Sequence, residues 1–420
     1  MRPAFAQRVT RQHKEPTYDC AMATPAQAND GILSGVRVLD FSRVLAGPYA
    51  TMTLADFGAD VIKVESPDGD DTRGWRPPVD ERGISTYYSS VNRNKRSVVL
   101  DLSSPEGKKK AQELLAAADV VIENFRPGVM TKLGFNFEEA QKINPGIIYC
   151  SITGFGSGKG AQLAGYDLLV QGLGGLMSVT GHQDSGPTKV GVALIDIMTG
   201  MNAVQGILLA LKARDDAQAS TDPGQWKGQL IQVDLMTTLL SAMTNQASAA
   251  LNAGVTPGRL GNAHPSISPY ELYDAQDRPL LIAVGNDKQF QTLVRLLGIK
   301  HLATDPRFAE NPSRATNRQA LRQELEAVLV TQPADQWVAV LSAEGVPSGL
   351  VNTLPEAFEF ADSLGLDAVV EIPTSDGEHL LRQVVNPINL PGREASYRLA
   401  PPALGEHSEN VFWLSGEPEE

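Results

Sequence analysis

The stretch that decides the fold is GVRVLDFSRVLAGPYATMTLADFGADVIKVE, residues 35–65. Its apolar residues predict a strand over 36–41, a helix over 48–57 and a second strand over 61–65. A strand, a helix and a strand in close succession are typical of a crossover between two parallel strands. The stretch therefore predicts the beginning of a parallel sheet.

The same alternation continues further along the chain. Buried-type strands are predicted over 97–102, 119–125 and 147–154, with a helix over 105–118. Five strands that alternate with helices predict an α/β fold with a Rossmann-like parallel sheet, covered by helices on both faces. In such a sheet we expect the ligand at the carboxyl ends of the strands.

The turn after the first strand does not favour a dinucleotide cofactor. A Rossmann fingerprint requires G-x-G-x-x-G at this point. Residues 41–48 read FSRVLAGP instead and contain one glycine, Gly47. Hydride transfer is therefore disfavoured, although the sheet is Rossmann-like.

The length of 420 residues suits two domains, or one large domain with insertions. We predict a disordered N-terminal arm over 1–30, or an upstream start codon with Met22 as the true first residue. A large domain follows over 31–225, then a linker helix and a smaller α/β domain over 226–340, then a C-terminal segment over 341–420.

The smaller domain is predicted from a second set of periodic segments. These are a helix over 231–253, a strand over 279–284, a helix over 287–297, a loop over 306–317 and a helix over 318–330. Residues 342–404 show turns and short strands without a strong pattern.

Composition and residue counts disfavour several classes of protein. A net charge of −13 argues against a nucleic-acid partner, and no apolar run of about 18 residues predicts a transmembrane helix. Cys20 and Cys150 offer neither zinc spacing nor a disulfide framework, which favours a reducing, cytoplasmic location. The six histidines form no metal-ligand pair, and G-x-S-x-G does not occur.

One carboxylate stands at the head of an apolar helical pattern. In GVALIDIMTGMNAVQGILLALKAR, residues 191–214, a short apolar run ends at Asp196, and apolar positions then recur at helical spacing. Asp196 is expected just ahead of a buried helix. It is either a helix N-cap or an ionised carboxylate available as a nucleophile.

Some charged and polar residues have two readings from the sequence alone. Arg73, Lys95 and Arg96 are solvated surface charges, or they bind phosphates beside strand ends. His264, in a loop of small residues, is solvated or contacts a substrate.

Ordered motifs along the chain resemble the family III coenzyme A transferases. This family includes formyl-CoA:oxalate and carnitine CoA-transferases, and the α-methylacyl-CoA racemases are relatives. The resemblance covers about residues 31–411. Its motifs are GVRVLDFSRVLAGPYA (35–50), ADFGADVIKVESPDGDDTRGW (55–75), NRNKRSVVLDLSSPEGK (92–108), ADVVIENFRPGVMTKLGF (118–135), NPGIIYCSITGFG (144–156), GYDLLVQGLGG (165–175), GVALIDIMTGM (191–201), GVPSGLV (345–351) and PPALGEHSENV (401–411).

The resemblance implies an interlocked homodimer, in which two chains are threaded through one another. Each chain would have a large CoA-binding domain, a small domain and a C-terminal segment that returns to the large one. The implied partners are an acyl-CoA and a carboxylic acid, with CoA as a substrate and no tightly bound cofactor or metal.

The resemblance also assigns site residues. Asp196 takes the position of the family's nucleophilic aspartate, and Asp167 that of a second acid near the thioester. His264 is assigned to the substrate. The CoA contacts are predicted at Val44, Leu45, Ala46, Arg73, Lys95, Arg96, Leu100, Asn124, Phe125, Arg126, Lys132, Ala164, Tyr166 and Asp167.

Two departures from the formyl-CoA enzyme bear on the substrate. Ser66 replaces an arginine, and the loop GNAHPSIS, residues 261–268, replaces a glycine-rich lid. The histidine-bearing loop resembles the branch that acts on succinate, glutarate and related dicarboxylic acids. We expect His264, Ser266 and Ser268 to offer hydrogen-bond donors to a second carboxylate.

The expected reaction is CoA transfer through an aspartyl anhydride and an aspartyl-CoA thioester. An α-methylacyl-CoA racemase or epimerase is the alternative, but Tyr166 stands where the racemases have a histidine base, and a phenol is a poor base at neutral pH. A third reading, a CoA-binding module without catalysis, gives Asp196 no role.

Overall fold

The computed structural model describes residues 31–220, 226–409 and 411–413. The N-terminal arm predicted over 1–30 lies outside the described residues.

The large sheet has six parallel strands in the order β3-β2-β1-β4-β5-β6. This order is typical of Rossmann folds, because the chain leaves β1 in one direction and returns to its other side at β4. The predicted α/β class and parallel sheet are confirmed. The strands are β1 (Arg37–Asp40), β2 (Asp60–Glu65), β3 (Lys95–Val99), β4 (Val120–Glu123), β5 (Ile148–Thr153) and β6 (Gln229–Asp234).

Helices cover both faces of this sheet. The helices α1 and α8 pack on one face, and α3 and α5 pack on the other. The described helices of this part of the chain are α1 (Ala46–Asp56), α2 (Thr86–Ser89), α3 (Pro105–Ala117), α4 (Val129–Leu133), α5 (Phe137–Ile143), α6 (Asp167–Leu173), α7 (Leu176–Val179), α8 (Leu194–Gln218), α9 (Leu235–Ala242) and α10 (Thr244–Ala253).

The sixth strand corrects the sequence prediction of a single helix over 231–253. Residues 229–234 (QLIQVD) form the edge strand β6, and the helical segment begins only at Leu235. The Asp234 side chain accepts the Thr237 N–H and caps α9, so strand and helix meet without a loop. The absence of a turn signal between them concealed the boundary.

The helix α8 is the one described helix that has the length and apolar composition of a membrane span. Of its most apolar window, 44% is buried inside the protein, where the helix packs on α1, β5, β6 and α9.

A second, antiparallel sheet has its own apolar core. The predicted strand over 279–284 and the helices over 287–297 and 318–330 correspond to β8, α11 and α13. Strand β9 extends this sheet past residue 340. The elements are β7 (Tyr270–Asp274), β8 (Pro279–Ala283), α11 (Asp287–Leu296), α12 (Asn311–Thr316), α13 (Arg318–Leu329), α14 (Ala334–Ala343) and β9 (Ser348–Leu350).

Part of the loop predicted over 306–317 is the helix α12. Arg314 on this helix is fully buried, donating to the Ser268 and Phe308 carbonyls and to Asp287. These tertiary contacts, which the local sequence does not show, hold the short helix in place.

The C-terminal segment packs against the large sheet. It contains α15 (Leu354–Ser363), β10 (Val369–Pro373) and β11 (Leu380–Val384). Arg93 donates to the Val384 carbonyl, and the Trp413 indole donates to the Leu114 carbonyl. The helix α15 begins with a capping box formed by Thr353 and Glu356, a signal that the sequence analysis overlooked.

Candidate active site

A groove opens where the strand order of the large sheet reverses. It lies at the carboxyl ends of β1 and β4, the place where open α/β sheets bind ligands. Asn124 joins the two strand ends, since its side chain accepts the Arg43 N–H at 2.8 Å and donates to the Arg43 carbonyl at 2.6 Å. Eight predicted site residues line this groove: Val44, Leu45, Ala46, Asn124, Phe125, Arg126, Tyr166 and Asp196.

Glycines bring the elements of the groove close together. A Cβ on Gly47 would lie 2.2 Å from the Ser42 Cβ, so a side chain there would collide with the turn that leads into α1. A Cβ on Gly200 would lie 2.6 Å from the Ala46 carbonyl oxygen. Gly200 is one turn beyond Asp196 on α8, so the close contact between α8 and α1 places Asp196 beside the start of α1.

Asp196 lies inside the first turn of α8, whose N-cap position is Ala193. The prediction that Asp196 precedes the helix is therefore wrong, and so is the N-cap reading. The capping acceptor is Asp167, whose Oδ1 takes the Ile195 N–H at 2.9 Å. Sequence reasoning missed this cap because Asp167 is 28 residues distant in the chain.

The carboxyl of Asp196 has a raised pKa. Burial, together with the negative charge of Asp167, raises the pKa of Asp196 to about 7. The helix N-terminus carries a partial positive charge that favours the ionised form. At neutral pH Asp196 is therefore available as a carboxylate that is poorly solvated, which favours nucleophilic attack.

Asp167 is held by a buried amide. The Gln171 side chain, fully buried on α6, donates to Asp167 Oδ2 at 2.6 Å and accepts the Val190 N–H at 2.9 Å. The segment before α8 and its capping acid are thus fixed by the same residue.

Tyr87 stands beside the two acids. Burial and the charges of Asp196 and Asp167 raise the pKa of Tyr87 to about 12, so its phenol stays protonated. Its ring packs against the apolar cluster of Leu45, Met52 and Val91 and meets Trp75 edge-on at 5.0 Å. The motif quoted for the family includes Trp75, but the sequence analysis assigned neither ring.

Sequence reasoning missed Arg43, which lines both this groove and a neighbouring cavity. Its guanidinium lies over the Phe125 ring at 4.9 Å and pairs with Asp71 at 3.3 Å, with both charged side chains about half exposed. An arginine directly after a strand at the reversal point was the available signal. The neighbouring cavity also contains Leu100 and Ser66.

The structure does not bring Lys95 and Arg96 to either cavity, so the predicted phosphate contacts fail for both. Lys95 is 0% exposed and donates to Asp40, the Pro48 carbonyl and Asn92. Arg96 forms a bidentate pair with Asp60. Both are ion-paired in the interior, since a buried charge requires a partner.

Arg73 is likewise engaged inside the protein. Its guanidinium donates twice to Glu65, at 2.8 and 2.6 Å, and stacks on the Tyr88 ring at 3.8 Å. Burial lowers and Glu65 raises the pKa of Arg73, with a net rise, so the charge is permanent. It supports the wall of the neighbouring cavity through Glu65 and does not line it.

Two further predicted contacts lie near the cavities without lining them. Lys132 is exposed on α4, next to Leu133 of the neighbouring cavity. Ala164 lies between Leu163 and Gly165, which both line the groove.

His264 lies in the loop ahead of β7 and does not line the groove. Its Nδ1 accepts the Ser266 N–H at 3.1 Å, and its carbonyl accepts from Arg318 at 2.8 Å. Because Nδ1 is an acceptor, the proton of the neutral ring is on Nε2, which is a donor. Ser268 is only 1% exposed, so the expectation that its hydroxyl meets a substrate is wrong.

Within the residues that the structure describes, no three His, Cys, Asp or Glu side chains form a metal-binding group.

A Rossmann-like sheet with a carboxylate in a groove at its reversal point defines an α/β protein with a candidate ligand site at the carboxyl ends of its strands. Residues 33–408 match the model of CoA-transferase family III, and the chain belongs to that family. The resemblance inferred from the motifs is confirmed, and the protein is an enzyme of the CoA-transferase class.

Individual relatives are similar over most of the chain. A succinate–glutarate CoA-transferase of Agrobacterium fabrum is 42% identical over 387 residues, 90% of this chain and 94% of that protein. An acetyl-CoA:oxalate CoA-transferase of Acetobacter aceti is 42% identical over 337 residues, 80% of this chain and 84% of that protein. The crystal structure of a CAIB/BAIF family protein from Brucella suis gives a TM-score of 0.79 at 42% identity, covering 90% of this chain and 98% of that one.

Proposed function

We propose that this enzyme transfers CoA from an acyl-CoA thioester to a dicarboxylic acid, with Asp196 as the covalent nucleophile. The observation that carries the proposal is the position of Asp196. Its carboxyl is half-buried in the first turn of α8 and lines the groove at the reversal point of the sheet together with the turn over 44–46.

The proposed reaction has two halves. The Asp196 carboxylate attacks the thioester carbonyl, the C–S bond breaks, and a mixed anhydride and a CoA thiolate form. The thiolate attacks the aspartyl carbonyl and releases the donor acid, leaving an aspartyl-CoA thioester. The acceptor carboxylate then attacks the aspartyl carbonyl of this thioester, which forms a second mixed anhydride and releases the CoA thiolate. The thiolate attacks the acceptor carbonyl of this anhydride, which forms the acceptor CoA thioester and releases the Asp196 carboxylate.

The preference for a dicarboxylic acid is supported by two observations. Relatives of this chain have names that specify glutarate and mesaconate as well as oxalate. His264 keeps an Nε2 donor on the loop over 261–268, because its Nδ1 accepts the Ser266 N–H, and an N–H donor suits a carboxylate oxygen; since this loop does not line the groove of its own chain, we propose that it reaches the acceptor in the dimer. We favour a four- to six-carbon dicarboxylic acid as the acceptor; the competing acceptor is oxalate, which the name of the Acetobacter relative specifies.

The racemase alternative has less support. The relatives compared above are named CoA-transferases. Tyr166, in the position of the racemase base, is 59% exposed and is a phenol. Deuterium entering the α-carbon of an acyl-CoA in heavy water, with no acceptor acid present, would restore that reading.

We also propose an interlocked homodimer, in which each chain has the large CoA-binding domain, the small domain and the returning segment. Large apolar side chains on α8, on α10 and at the start of α15 are exposed in the single chain: Leu209 is 72%, Leu251 83% and Leu354 76% exposed. A partner subunit of the same kind would cover them.

Initial rates of CoA exchange between succinyl-CoA and glutarate test the nucleophile. Asp196→Asn is expected to reduce kcat at least about 10³-fold, while CoA still protects the fold against heat, because the loss falls on the chemical step. Asp216→Asn, at the exposed far end of the same helix where Asp216 pairs with Lys212, is the matched control. Substantial activity in Asp196→Asn would exclude Asp196 as the nucleophile.

A further inference from the structure

Val44 has an unusual backbone for its residue type. Its φ of 68° lies in the left-handed region, which a β-branched side chain rarely adopts. Val44 sits in the turn between β1 and α1, and its neighbours Arg43 and Leu45 line the groove with it. A strained residue persists only where the surrounding structure holds it in place.

The Val44 amide is held by a buried carboxylate. Its N–H donates to both oxygens of Asp70, at 3.3 and 3.2 Å. Asp70 Oδ1 also accepts the Thr72 N–H and hydroxyl, at 3.0 and 2.7 Å, which fixes the orientation of the carboxylate. Val44 therefore depends on a side chain 26 residues further along the chain.

A buried lysine, Lys63, binds both Asp70 and the turn. Lys63 Nζ lies 2.9 Å from Asp70 Oδ2, and both side chains are 0% exposed. The same ammonium donates to the Ser42 carbonyl at 2.8 Å. The pair thus binds the turn at the Ser42 carbonyl and at the Val44 amide, on either side of Arg43.

The charges of this pair are stable despite their burial. Burial alone would raise the pKa of Asp70, but Lys63 and Thr72 lower it well below its usual range. Burial lowers the pKa of Lys63, but nearby negative charges, chiefly those of Asp70 and Asp40, raise it by more than burial lowers it. The net change in the pKa is a rise, so the ammonium stays charged.

We infer that the buried Lys63–Asp70 pair is a positioning device for the reaction, holding Val44 in its left-handed conformation so that the turn over 44–46 faces Asp196 across the groove. The inference rests on the proposed reaction at Asp196. Neither Lys63 nor Asp70 touches a substrate; both act through the backbone of the turn.

An alternative role for the pair is stability of the fold alone. The two roles differ in their dependence on Val44. Glycine adopts the left-handed region at no steric cost. If the Lys63–Asp70 pair counteracts backbone strain at Val44, the pair should therefore become dispensable for activity when Val44 is replaced by glycine. A pair that only stabilises the fold would matter equally with either residue.

A double-mutant cycle separates these roles. Asp70→Asn is made in the wild-type and in the Val44→Gly background, and kcat, the KM of succinyl-CoA and the thermal midpoint are measured for all four proteins. We expect Asp70→Asn to lower kcat by about 10- to 100-fold in the wild-type background and by less than about threefold with Val44→Gly. The fall in thermal midpoint should be similar in both backgrounds.

Equal losses of kcat in the two backgrounds would overturn the inference. Should Asp70→Asn fail to fold, Thr72→Val replaces it in the same cycle, because it removes one hydrogen bond to Asp70 and leaves the ion pair intact. Failure of the proposed function has a different result: the wild-type enzyme would exchange CoA without a covalent adduct at Asp196. In that case the difference between the kcat losses in the two backgrounds still tests the positioning role.

Discussion

At the scale of single residues, Asp196 and Asp167 form an unequal pair of acids. Asp167 is tied to the backbone at Ile195 and to Gln171, whereas the groove-facing Asp196 has its pKa raised to about 7. Two carboxyls in one site with different environments can take different roles. In the proposed mechanism Asp167 positions the helix and Asp196 reacts.

This pair predicts a pH dependence. Because ionised Asp196 is the proposed nucleophile, kcat/KM for the donor should fall about tenfold per pH unit below pH 7. Asp167→Asn keeps an oxygen to accept the Ile195 N–H but removes the negative charge, so the acid limb should move to lower pH by about one unit. A pH–rate profile measures this, with Asp184→Asn, an exposed acid in the loop before α8, as control. An unchanged limb in Asp167→Asn would show that Asp167 does not set it.

The acceptor specificity is predicted to depend on His264. Losing a donor to a buried carboxylate typically costs ~1–3 kcal/mol, or about ten- to hundredfold in discrimination. We expect His264→Ala to reduce the preference for glutarate over valerate by that factor through the acceptor KM, with the KM of succinyl-CoA unchanged. His301→Ala, exposed in the same small domain, is the control. A preference unaffected by His264→Ala would mean that His264 is a solvated loop residue.

At the scale of elements, the contact of α8 with α1 sets the distance across the site. Gly200 allows this contact, because a Cβ there would lie 2.6 Å from the Ala46 carbonyl oxygen and 3.2 Å from the Tyr49 ring. Backbone cannot yield as a flexible side chain can. The position of α8, which carries Asp196, thus depends on the close contact with α1 that Gly200 allows one turn away.

Gly200→Ala should therefore move α8 and lower both stability and activity. Overpacking of this kind costs about 1–3 kcal/mol, and we expect kcat to fall by tenfold or more because Asp196 shifts with the helix. Gly172→Ala on α6, where the nearest atom is the Met177 sulfur at 3.7 Å, is the matched control. Thermal melts measure the stability of both variants, and steady-state kinetics measure their kcat. A fully active Gly200→Ala variant would contradict the role given to the contact between α8 and α1.

Elements with a complete local signal could be predicted from the sequence, and others could not. The strands on either side of α1 are rich in valine, leucine and isoleucine, and α3 has Pro105 at its start, so their bounds came close. Strand β6 is an edge strand joined directly to α9, and its pattern merges with that of the helix. The cap of α8 by Asp167 is a contact distant in the chain, which no local pattern shows.

The residues of the candidate site were also predictable only in part. The eight groove residues were supplied by the resemblance to the CoA-transferases, and they lie at the reversal point of the sheet, where open α/β sheets bind ligands; their contacts with CoA stay a prediction. Lys95 and Arg96 were misassigned because a basic residue near a strand end looks the same in sequence whether it faces solvent or pairs inside with Asp40 or Asp60. Burial of a charge is decided by partners from other strands.

At the scale of the whole molecule, the single chain leaves apolar surface open on α8, on α10 and at the start of α15. An interlocked homodimer predicts one dimeric species by light scattering that persists on dilution to nanomolar concentration, since threaded chains cannot part without unfolding. Thermal unfolding and dissociation should then coincide. A folded monomer at high dilution would contradict the interlocked arrangement while leaving the chemistry at Asp196 unaffected.

The most direct measurement of the central claim is covalent trapping on the enzyme. Wild-type protein is mixed with succinyl-CoA without an acceptor, quenched with hydroxylamine or borohydride, digested and examined by mass spectrometry. An acyl intermediate at Asp196 predicts a modified peptide with the change located at Asp196, present also in Asp216→Asn and absent in Asp196→Asn. CoA transfer at the wild-type rate with an unmodified Asp196 peptide, or with the modification on another residue, would contradict the account.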